Sequence, residues 1–437
     1  MLSREDNDCL TQTDADKPMG QYLRRFWQPV ALAEELPGPD APPIRIKIMD
    51  EDLVAFRDSN GKVGVIDSRC PHRGADMYYG RNEECGLRCV YHGWKFDVDG
   101  NAVDLPNVLP DRALHETVRI KSYPTQEYGD IVWAYMGPAA ADLPGGKLPE
   151  MHELEFGKVA PESRYVMKQR MECNWAQIME GDLDTSHFSF LHMPAPSVAS
   201  NENPDAPADE RRLRWIRNDP IPQFSLLEHE AGFVVGGARV ADGENFYWRI
   251  TQYMLPSHGT GPSTMPGETY FGFSLAPIDD ESCWIYCYGW NPVREIGAEE
   301  RAKLKAGHGI MCEIDENYEP VRNPSNEFGI DRSIQKDKTY SGIKGLAEQD
   351  AMIQYSQGRI ADRTKEILTT TDAAVVRFRN MVINGAKALA AGNEPVAPYH
   401  HKEYRTRPGS WLADKGRSFE EVLQERFDDP LGRVAAE

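Results

Sequence analysis

The 437-residue chain has no apolar run of about eighteen residues or more, so no membrane span is expected. Positive charge is in short supply: Lys plus Arg number 49 against 69 Asp plus Glu, a net charge of −20. That balance argues against nucleic acid and anionic membranes as partners, and any site for a small anion must gather its own local cations. Neither a G-x-G-x-x-G turn nor a Walker-type loop occurs. No site for NAD, FAD or ATP is therefore expected, and electrons, if used, must arrive from another protein. The opening Met1-Leu2-Ser3-Arg4-Glu5-Asp6 is charged and lacks the apolar core of a signal peptide, which makes the cytoplasm the expected compartment. The eight cysteines show no disulfide framework. Cys283 and Cys287 fall in an aromatic, strand-like run where buried free thiols are expected.

What the chain does contain divides by texture. Hydrophobic residues make up 40%, enough for two or three domains with cores of their own. Residues 17–27 read as a short amphipathic helix with Tyr22, Phe26 and Trp27 on its buried side. From about 30 to 132 short β-type runs follow one another (45–49, 53–56, 63–66), with Asn60-Gly61 and Asp99-Gly100 as hairpin turn signals. A Gly/Pro/Ala-rich linker covers 136–146. Beyond it α and β textures mix: helical near 174–190, strands at 246–254 and 282–290, helices around 348–367 and 373–391. Between these, 194–209 reads as a long lid-like loop. There is no internal repeat.

Inside the β-rich stretch stand Cys70-Pro71-His72-Arg73-Gly74 and Cys89-Val90-Tyr91-His92-Gly93-Trp94. Each short loop offers one thiolate and one imidazole. A structural zinc accepts the same four donors, but zinc fingers usually pair like with like, C-x₂₋₄-C and then H-x₃₋₅-H. Alternating Cys and His suits a two-iron cluster in which one iron takes both cysteines and the other both histidines. Further on, Asp184-Thr-Ser-His187-Phe-Ser-Phe-Leu-His192 carries D-x₂-H-x₄-H within a run containing Asn174, Gln177 and Glu180. On a regular helix His187 and His192 would point about 140° apart, so the helix must end or bend between them for both to reach one metal. Met193-Pro194 encourages that. Two histidines and a carboxylate on one face of iron form the facial triad of non-haem Fe(II) oxygenases. The competing reading is of hydrogen-bonded histidines with no metal.

Taken together, these motifs resemble the Rieske non-haem iron aromatic-ring-hydroxylating oxygenases, nearest to the phthalate dioxygenase-like group that includes O-demethylases. The resemblance runs from Met19-Gly20 to Gly409-Ser410-Trp411, and Val90 stands where many relatives have proline. It implies an α+β fold: a small all-β Rieske domain at 28–137, with 1–27 and 150–437 forming a larger catalytic domain. In that domain a central antiparallel sheet is flanked by helices in a helix-grip-like arrangement. It implies a [2Fe–2S] cluster on Cys70, His72, Cys89 and His92, and mononuclear Fe(II) on His187, His192 and a downstream aspartate. Asp350 matches that aspartate, with Glu348 and Asp362 as competitors. Asn174 and Asp184 are the expected catalytic residues. Asp184 is expected to link His187 to the matching cluster histidine, His92, of a neighbouring subunit in a head-to-tail trimer or stacked hexamer. The implied partners are an aromatic carboxylate, O₂ and a separate NADH-dependent flavin and iron–sulfur reductase.

Arg249 alternates with Tyr247, Thr251 and Tyr253 on one strand face, and the turn 242–245 pairs this run with 233–239, bringing Arg239 close. With Arg212 and Arg214 at the end of the lid-like loop, these are the candidates for holding the substrate carboxylate. The expected reaction is cis-dihydroxylation of a phthalate-like or substituted benzoate. O-demethylation of a methoxylated lignin-type aryl acid is the alternative. A plain electron-transfer or zinc-stabilised binding protein is the rival from another class. His400-His401 reads as an exposed pair in a polar tail.

Overall fold

A computed structural model of the chain describes residues 1–109, 114–195, 208–261, 267–427 and 433–434. The β-rich stretch forms three small antiparallel sheets. Strand Trp27–Leu32 pairs with Ile131–Tyr135, which also pairs with Thr125–Tyr128. Ile44–Ile48, Glu51–Arg57, Val63–Asp67 and Ser122–Tyr123 form the second sheet. The third consists of Arg81–Glu83, Gly86–Arg88, Lys95–Phe96 and Ala102–Asp104. Both turn signals are used, with Gly61 at φ 80° and Gly100 at φ 77°, backbone that a side chain rarely tolerates. Val54, Phe56, Ile66, Leu87 and Phe96 form a core that also takes in Cys70 and Cys89, so the two thiols are anchored from within.

The larger part is an eight-stranded antiparallel sheet. Its order runs Arg164–Met171, Ser282–Trp290, Tyr270–Asp279, His258–Gly261, Asn245–Met254, Gly232–Val240, Gln223–His229, with Gly409–Asp414 also paired to Asn245–Met254. The hairpin at 242–245 forms as the pattern predicts, with Phe233 opposite Tyr253 and Arg239 opposite Tyr247. Helices Trp175–Leu183, Leu346–Ser356 and Ala373–Ala390 contribute to the same core. The N-terminal helices return to this part: Pro18–Leu23 packs on Ala373–Ala390, where a Cβ at Gly385 would stand 2.7 Å from the Tyr22 ring. The fold is thus a small all-β unit followed by an α+β unit built on an antiparallel sheet. Among the described residues no helix is long and apolar enough to cross a membrane.

Four local expectations shift. The helix expected over 17–27 spans only Pro18–Leu23, and Trp27 opens the first strand. The helix expected over 174–190 stops at Leu183, before either histidine, because Asp184 is extended (ψ 93°) and its Oδ1 accepts from the Ser186 N–H instead of letting the helix continue. The helix expected over 348–367 spans Leu346–Ser356, and the chain leaves it through Gly358 at φ 92°. Of the lid-like loop, residues 196–207 lie outside the described residues, and its far end is helical, Ala208–Asn218, carrying Arg212 and Arg214.

Candidate metal centres

The two Cys/His loops are copies of one turn. In each, the N–H four residues after the cysteine donates to the cysteine carbonyl, Gly74 to Cys70 at 2.8 Å and Gly93 to Cys89 at 3.0 Å. In each, the cysteine N–H donates to the carbonyl five residues on, Cys70 to Ala75 at 2.9 Å and Cys89 to Trp94 at 2.8 Å. Both glycines sit in the left-handed region, at φ 72° and 79°. The loops differ in where they place histidine, two residues after Cys70 but three after Cys89. His72 stacks on Trp94 (4.4 Å, 13°), whose Nε1 donates to Asn107, and meets His92 edge-on at 4.5 Å. Arg88 clamps the second loop by donating to the Gly93 carbonyl and to Asp104.

This geometry separates the cluster from zinc. Donors around one tetrahedral zinc stand about 3.3–3.8 Å apart, given bonds of about 2.0–2.3 Å. Among the described residues only one group of three or more metal-ligating side chains has all its donor atoms within 4.8 Å, and it includes none of these four. The cysteines form one pair and the imidazoles another, as a two-iron cluster requires. Burial, reinforced by the facing Cys89 sulfur, pushes the Cys70 thiol up to about 11, while the His72 and Arg73 backbone N–H groups point at it. On the histidine side, His92 Nδ1 is a buried nitrogen with no hydrogen-bond partner. Cysteine sulfurs held together and an inward orphan imidazole nitrogen fit the [2Fe–2S] group.

The one close group is His187, His192 and Asp350. The two Nε2 atoms stand 3.1 Å apart, and Asp350 Oδ1 lies 3.1 Å from His192 Nε2 and 3.6 Å from His187 Nε2. Three donors about 2.1 Å from one ion at right angles would stand about 3 Å apart, so these residues fit one face of an octahedral metal. The end of the helix at Leu183 makes this possible. The chain turns at Asp184, forms a short 3₁₀ turn at His187–Ser189 tied down by Ser189 Oγ to the Ile216 carbonyl, and returns His192 to the same point. Asp350 comes from helix Leu346–Ser356.

Each histidine also meets an orienting group through Nδ1. For His192 it is Gln349 Oε1 at 2.7 Å, the Gln349 amide being fixed in turn by donation to the Ile343 carbonyl. For His187 it is Asp184 Oδ2 at 3.7 Å. Burial opposes the Asp184 charge, but the His187 contact and hydrogen bonds from Ser186 outweigh it and hold its pKa below the usual aspartate value. Below this layer, buried Glu180 takes Arg363 (2.7 and 3.0 Å) and Arg379 (2.7 Å), tying the iron-site helix to the loop at 358–363 and to Ala373–Ala390.

Of the three downstream carboxylates, only Asp350 reaches the histidines. Glu348 is buried against Arg322 at 2.8 Å, and Asp362 is taken up by Thr364 and Lys365. Asn174 is not beside the metal donors. It caps the helix N-terminus, accepting from Ala176 N–H and donating to the Thr11 and Asp280 carbonyls, a position that favours asparagine for structural reasons. Gln349 was missed by sequence reasoning. Its only local signal was adjacency to Asp350.

An apolar cavity opens beside His187 and Asp350, lined by Met171, Ile178, Phe273, Ile285 and Ile310 among others. None of the four candidate arginines lines it. Arg239 is buried and donates to the Thr185 and Asp219 carbonyls, and Arg214 pairs with Asp242. Arg249 donates to Thr185 Oγ1 and lies 3.8 Å over the Phe188 ring, with Nη2 buried and unpartnered. Arg239 and Arg249 thus grip Thr185 from the sheet and brace the turn that carries His187. Arg212 faces Glu268 at 3.7 Å and lines an adjoining polar depression, shared with Arg294, Lys303, Glu299 and Glu300, which meets the apolar cavity at Gly309 and Leu346. The paired histidines of the tail are less alike than expected, since His401 faces Glu150 at 3.3 Å with little exposure.

Two cysteines and two histidines in paired loops, followed by a two-histidine, one-carboxylate face on a cavity, define an iron-dependent redox enzyme with separate electron-relay and oxygen-activating sites. Comparison with known proteins agrees. The Rieske [2Fe-2S] domain family matches residues 26–124, and the family described as LigXa C-terminal domain like matches 134–408. The phthalate 4,5-dioxygenase oxygenase subunit of Pseudomonas putida is 36% identical over 406 residues, 91% of this chain and 89% of that protein. The 3-chlorobenzoate-3,4-dioxygenase oxygenase subunit of Comamonas testosteroni is 32% identical over 98% of this chain and 99% of its own length. Among solved structures, dicamba monooxygenase bound to dicamba shares the fold, with a TM-score of 0.58 at 18% identity, covering 84% of this chain and 99% of that one. The chain belongs to the Rieske non-haem iron aromatic-ring-hydroxylating oxygenases and carries their [2Fe–2S] cluster and mononuclear iron. That membership removes the electron-transfer and zinc-protein rival.

Proposed function

We propose that this oxygenase component performs cis-dihydroxylation of an aromatic carboxylate, using O₂ and electrons from a separate NADH-dependent flavin and iron–sulfur reductase. The observation that carries the reading is the convergence of His187, His192 and Asp350, two of which line an apolar cavity that adjoins a polar depression containing Arg212. Relatives named for phthalate and chlorobenzoate dioxygenation support the aryl-acid class. When bound, the mononuclear iron activates O₂ with electrons stored at the Rieske centre. The protein's own residues do the rest. Cys70, Cys89, His72 and His92 hold the relay, while His187, His192 and Asp350 hold the reaction centre. Met171, Ile178 and Phe273 seat the ring, and Arg212 at the mouth meets the carboxylate.

Electron delivery runs from His92 to Asp184 of a neighbouring chain in a head-to-tail trimer or stacked hexamer. Val90, Tyr91 and Leu109 are exposed at the cluster tip and Phe190 and Tyr340 near the iron loop, apolar surface suited to such a contact. Light scattering giving three or six chains per particle supports the ring, and a monomer counts against it. A relative named as the 5,5'-dehydrodivanillate O-demethylase oxygenase subunit of Sphingobium sp. (strain NBRC 103272 / SYK-6) is 29% identical over 91% of this chain, which makes O-demethylation the second reading. Incubating the enzyme with a panel of aryl acids, NADH and a surrogate reductase decides between them: cis-diols are expected, whereas release of formaldehyde from methoxylated acids overturns dihydroxylation.

A further inference from the structure

The cavity wall beside the iron donors is largely apolar; its other polar side chains are Gln169, whose Oε1 accepts from the Cys312 N–H, Gln354, and a carboxyl group with no hydrogen-bond partner. Asp182 sits in the last turn of helix Trp175–Leu183, on the side that also turns Ile178 and Gly181 to the cavity. Its Oδ2 is buried and has no hydrogen-bond partner. An acidic oxygen in that position costs about 1–3 kcal/mol when left unmatched, and it holds no neighbouring element in place in return. The opposite wall is cut back to make room for it. A Cβ at Gly259 would lie 2.8 Å from Asp182 Oδ2 and 2.5 Å from the Phe273 ring. Gly261, two residues along the same strand face, also lines the cavity. Glycine at 259 thus lets the strand pack directly against the carboxyl group and the Phe273 ring, and glycine at 261 leaves the cavity wall there without a side chain.

We infer that Asp182 is a specificity-determining residue that hydrogen-bonds a hydroxyl group on the substrate ring. A hydroxyl satisfies the group in either protonation state, because it both donates and accepts. Burial, together with the nearby Asp350 charge, raises the Asp182 pKa well above the usual value, in keeping with a carboxyl that donates as well as accepts. The inference rests on the aryl-acid reading above and narrows it: the carboxylate lies toward Arg212 at the mouth and a phenolic hydroxyl lies inward at Asp182.

The test is direct binding of benzoate and its 2-, 3- and 4-hydroxy isomers to the intact holoenzyme, in the wild type, Asp182→Asn and Asp182→Leu, with phenol and toluene as a pair lacking the carboxylate. At least one hydroxybenzoate is expected to bind the wild type about 10-fold or more tightly than benzoate. Asp182→Leu abolishes that preference while binding benzoate no more weakly, and Asp182→Asn keeps part of it. Cluster absorbance and iron content check that each variant is folded. Equal binding of hydroxylated and plain ligands by the wild type, or a preference that persists in Asp182→Leu, overturns the inference. Aryl acids turned over with no preference dependent on Asp182 leave the proposed reaction standing and remove this residue from it. An Asp182-dependent preference seen with phenol over toluene, but with none of the acids, supports the residue's role and overturns the aryl-acid reading.

Discussion

The two metal sites are built in opposite ways. The cluster site is local: all four donors come from 23 consecutive positions, 70–92, in two loops that repeat one hydrogen-bonded turn. The mononuclear site is assembled: two donors from a turn after helix Trp175–Leu183, and a third more than 150 residues away on helix Leu346–Ser356. The first is rooted in its own small core and exposes its histidine edge. The second is braced from below by Glu180 and its arginines, and from the sheet by Arg239 and Arg249, and it opens into a cavity. A relay needs only a fixed redox centre near the surface. A reaction centre must leave room for substrate, so its donors come from separate elements around a space.

The sharpest way to break this comparison is to remove one site and watch the other. Cys89→Ala should abolish turnover and lower iron from about three per chain to about one, because the cluster needs all four donors. Asp350→Ala should also abolish turnover, but with the Rieske spectrum unchanged and about two irons left. If either change empties both sites, their structural independence fails.

The next effect concerns bracing. Glu180→Gln leaves buried Arg363 without its counter-charge and Arg379 with Glu366 alone, and should cost about 3–5 kcal/mol of catalytic-domain stability. Chemical denaturation should show that loss, while the cluster absorbance survives to higher denaturant than the mononuclear iron. Simultaneous loss of the two signals would show one cooperative unit rather than two.

The two orienting contacts differ as well. Gln349→Leu removes the acceptor of His192 Nδ1 and should lower mononuclear iron affinity about 10- to 100-fold. Asp184→Asn should leave the cluster and the iron in place, and reducible, while turnover falls sharply. Near-normal turnover in Asp184→Asn would remove that residue from the route between subunits.

A smaller effect comes from a buried histidine pair in the larger part. His152 Nδ1 and His258 Nε2 meet at 3.2 Å, and burial keeps both imidazoles neutral, His258 down to about 3. Its folded value lies below the unfolded value of 6.5, so its stabilising contribution is full above pH 6.5 and is lost as pH falls toward 3. The loss is on the order of 1–2 kcal/mol between pH 6.5 and about 5. Urea midpoints against pH should show that slope, reduced in His258→Gln. An unchanged slope would assign it to carboxylates instead.

How much could be read in advance follows from the same contrast. The Cys/His loops are legible because their chemistry and their turn are contiguous, down to the glycines that close them. The histidine pair is legible from D-x₂-H-x₄-H, but not the way the chain brings them together: a local Asx turn at Asp184 stops the helix earlier than the spacing suggested. Asp350 needed resemblance, since nothing near it distinguishes it from Glu348 before Arg322 is seen to occupy the latter. Asn174 looked chemical because it shares a helix with Asp184, whereas an asparagine that opens a helix is first a cap. The arginines were chosen for charge. Burial diverts Arg239 and Arg249 to Thr185, and only the fold shows Arg212 at the mouth. Asp182 carries no motif, and its significance depends on Gly259 from a distant strand.

The central claim is that one chain holds a local two-iron relay and a separately assembled single-iron site. Iron quantitation with electron paramagnetic resonance on wild type and Asp350→Ala tests it most directly. The account predicts about three irons per wild-type chain, about two in Asp350→Ala, and the same reduced Rieske signal in both. A wild type with about two irons, or an Asp350→Ala variant that keeps all three, would contradict it.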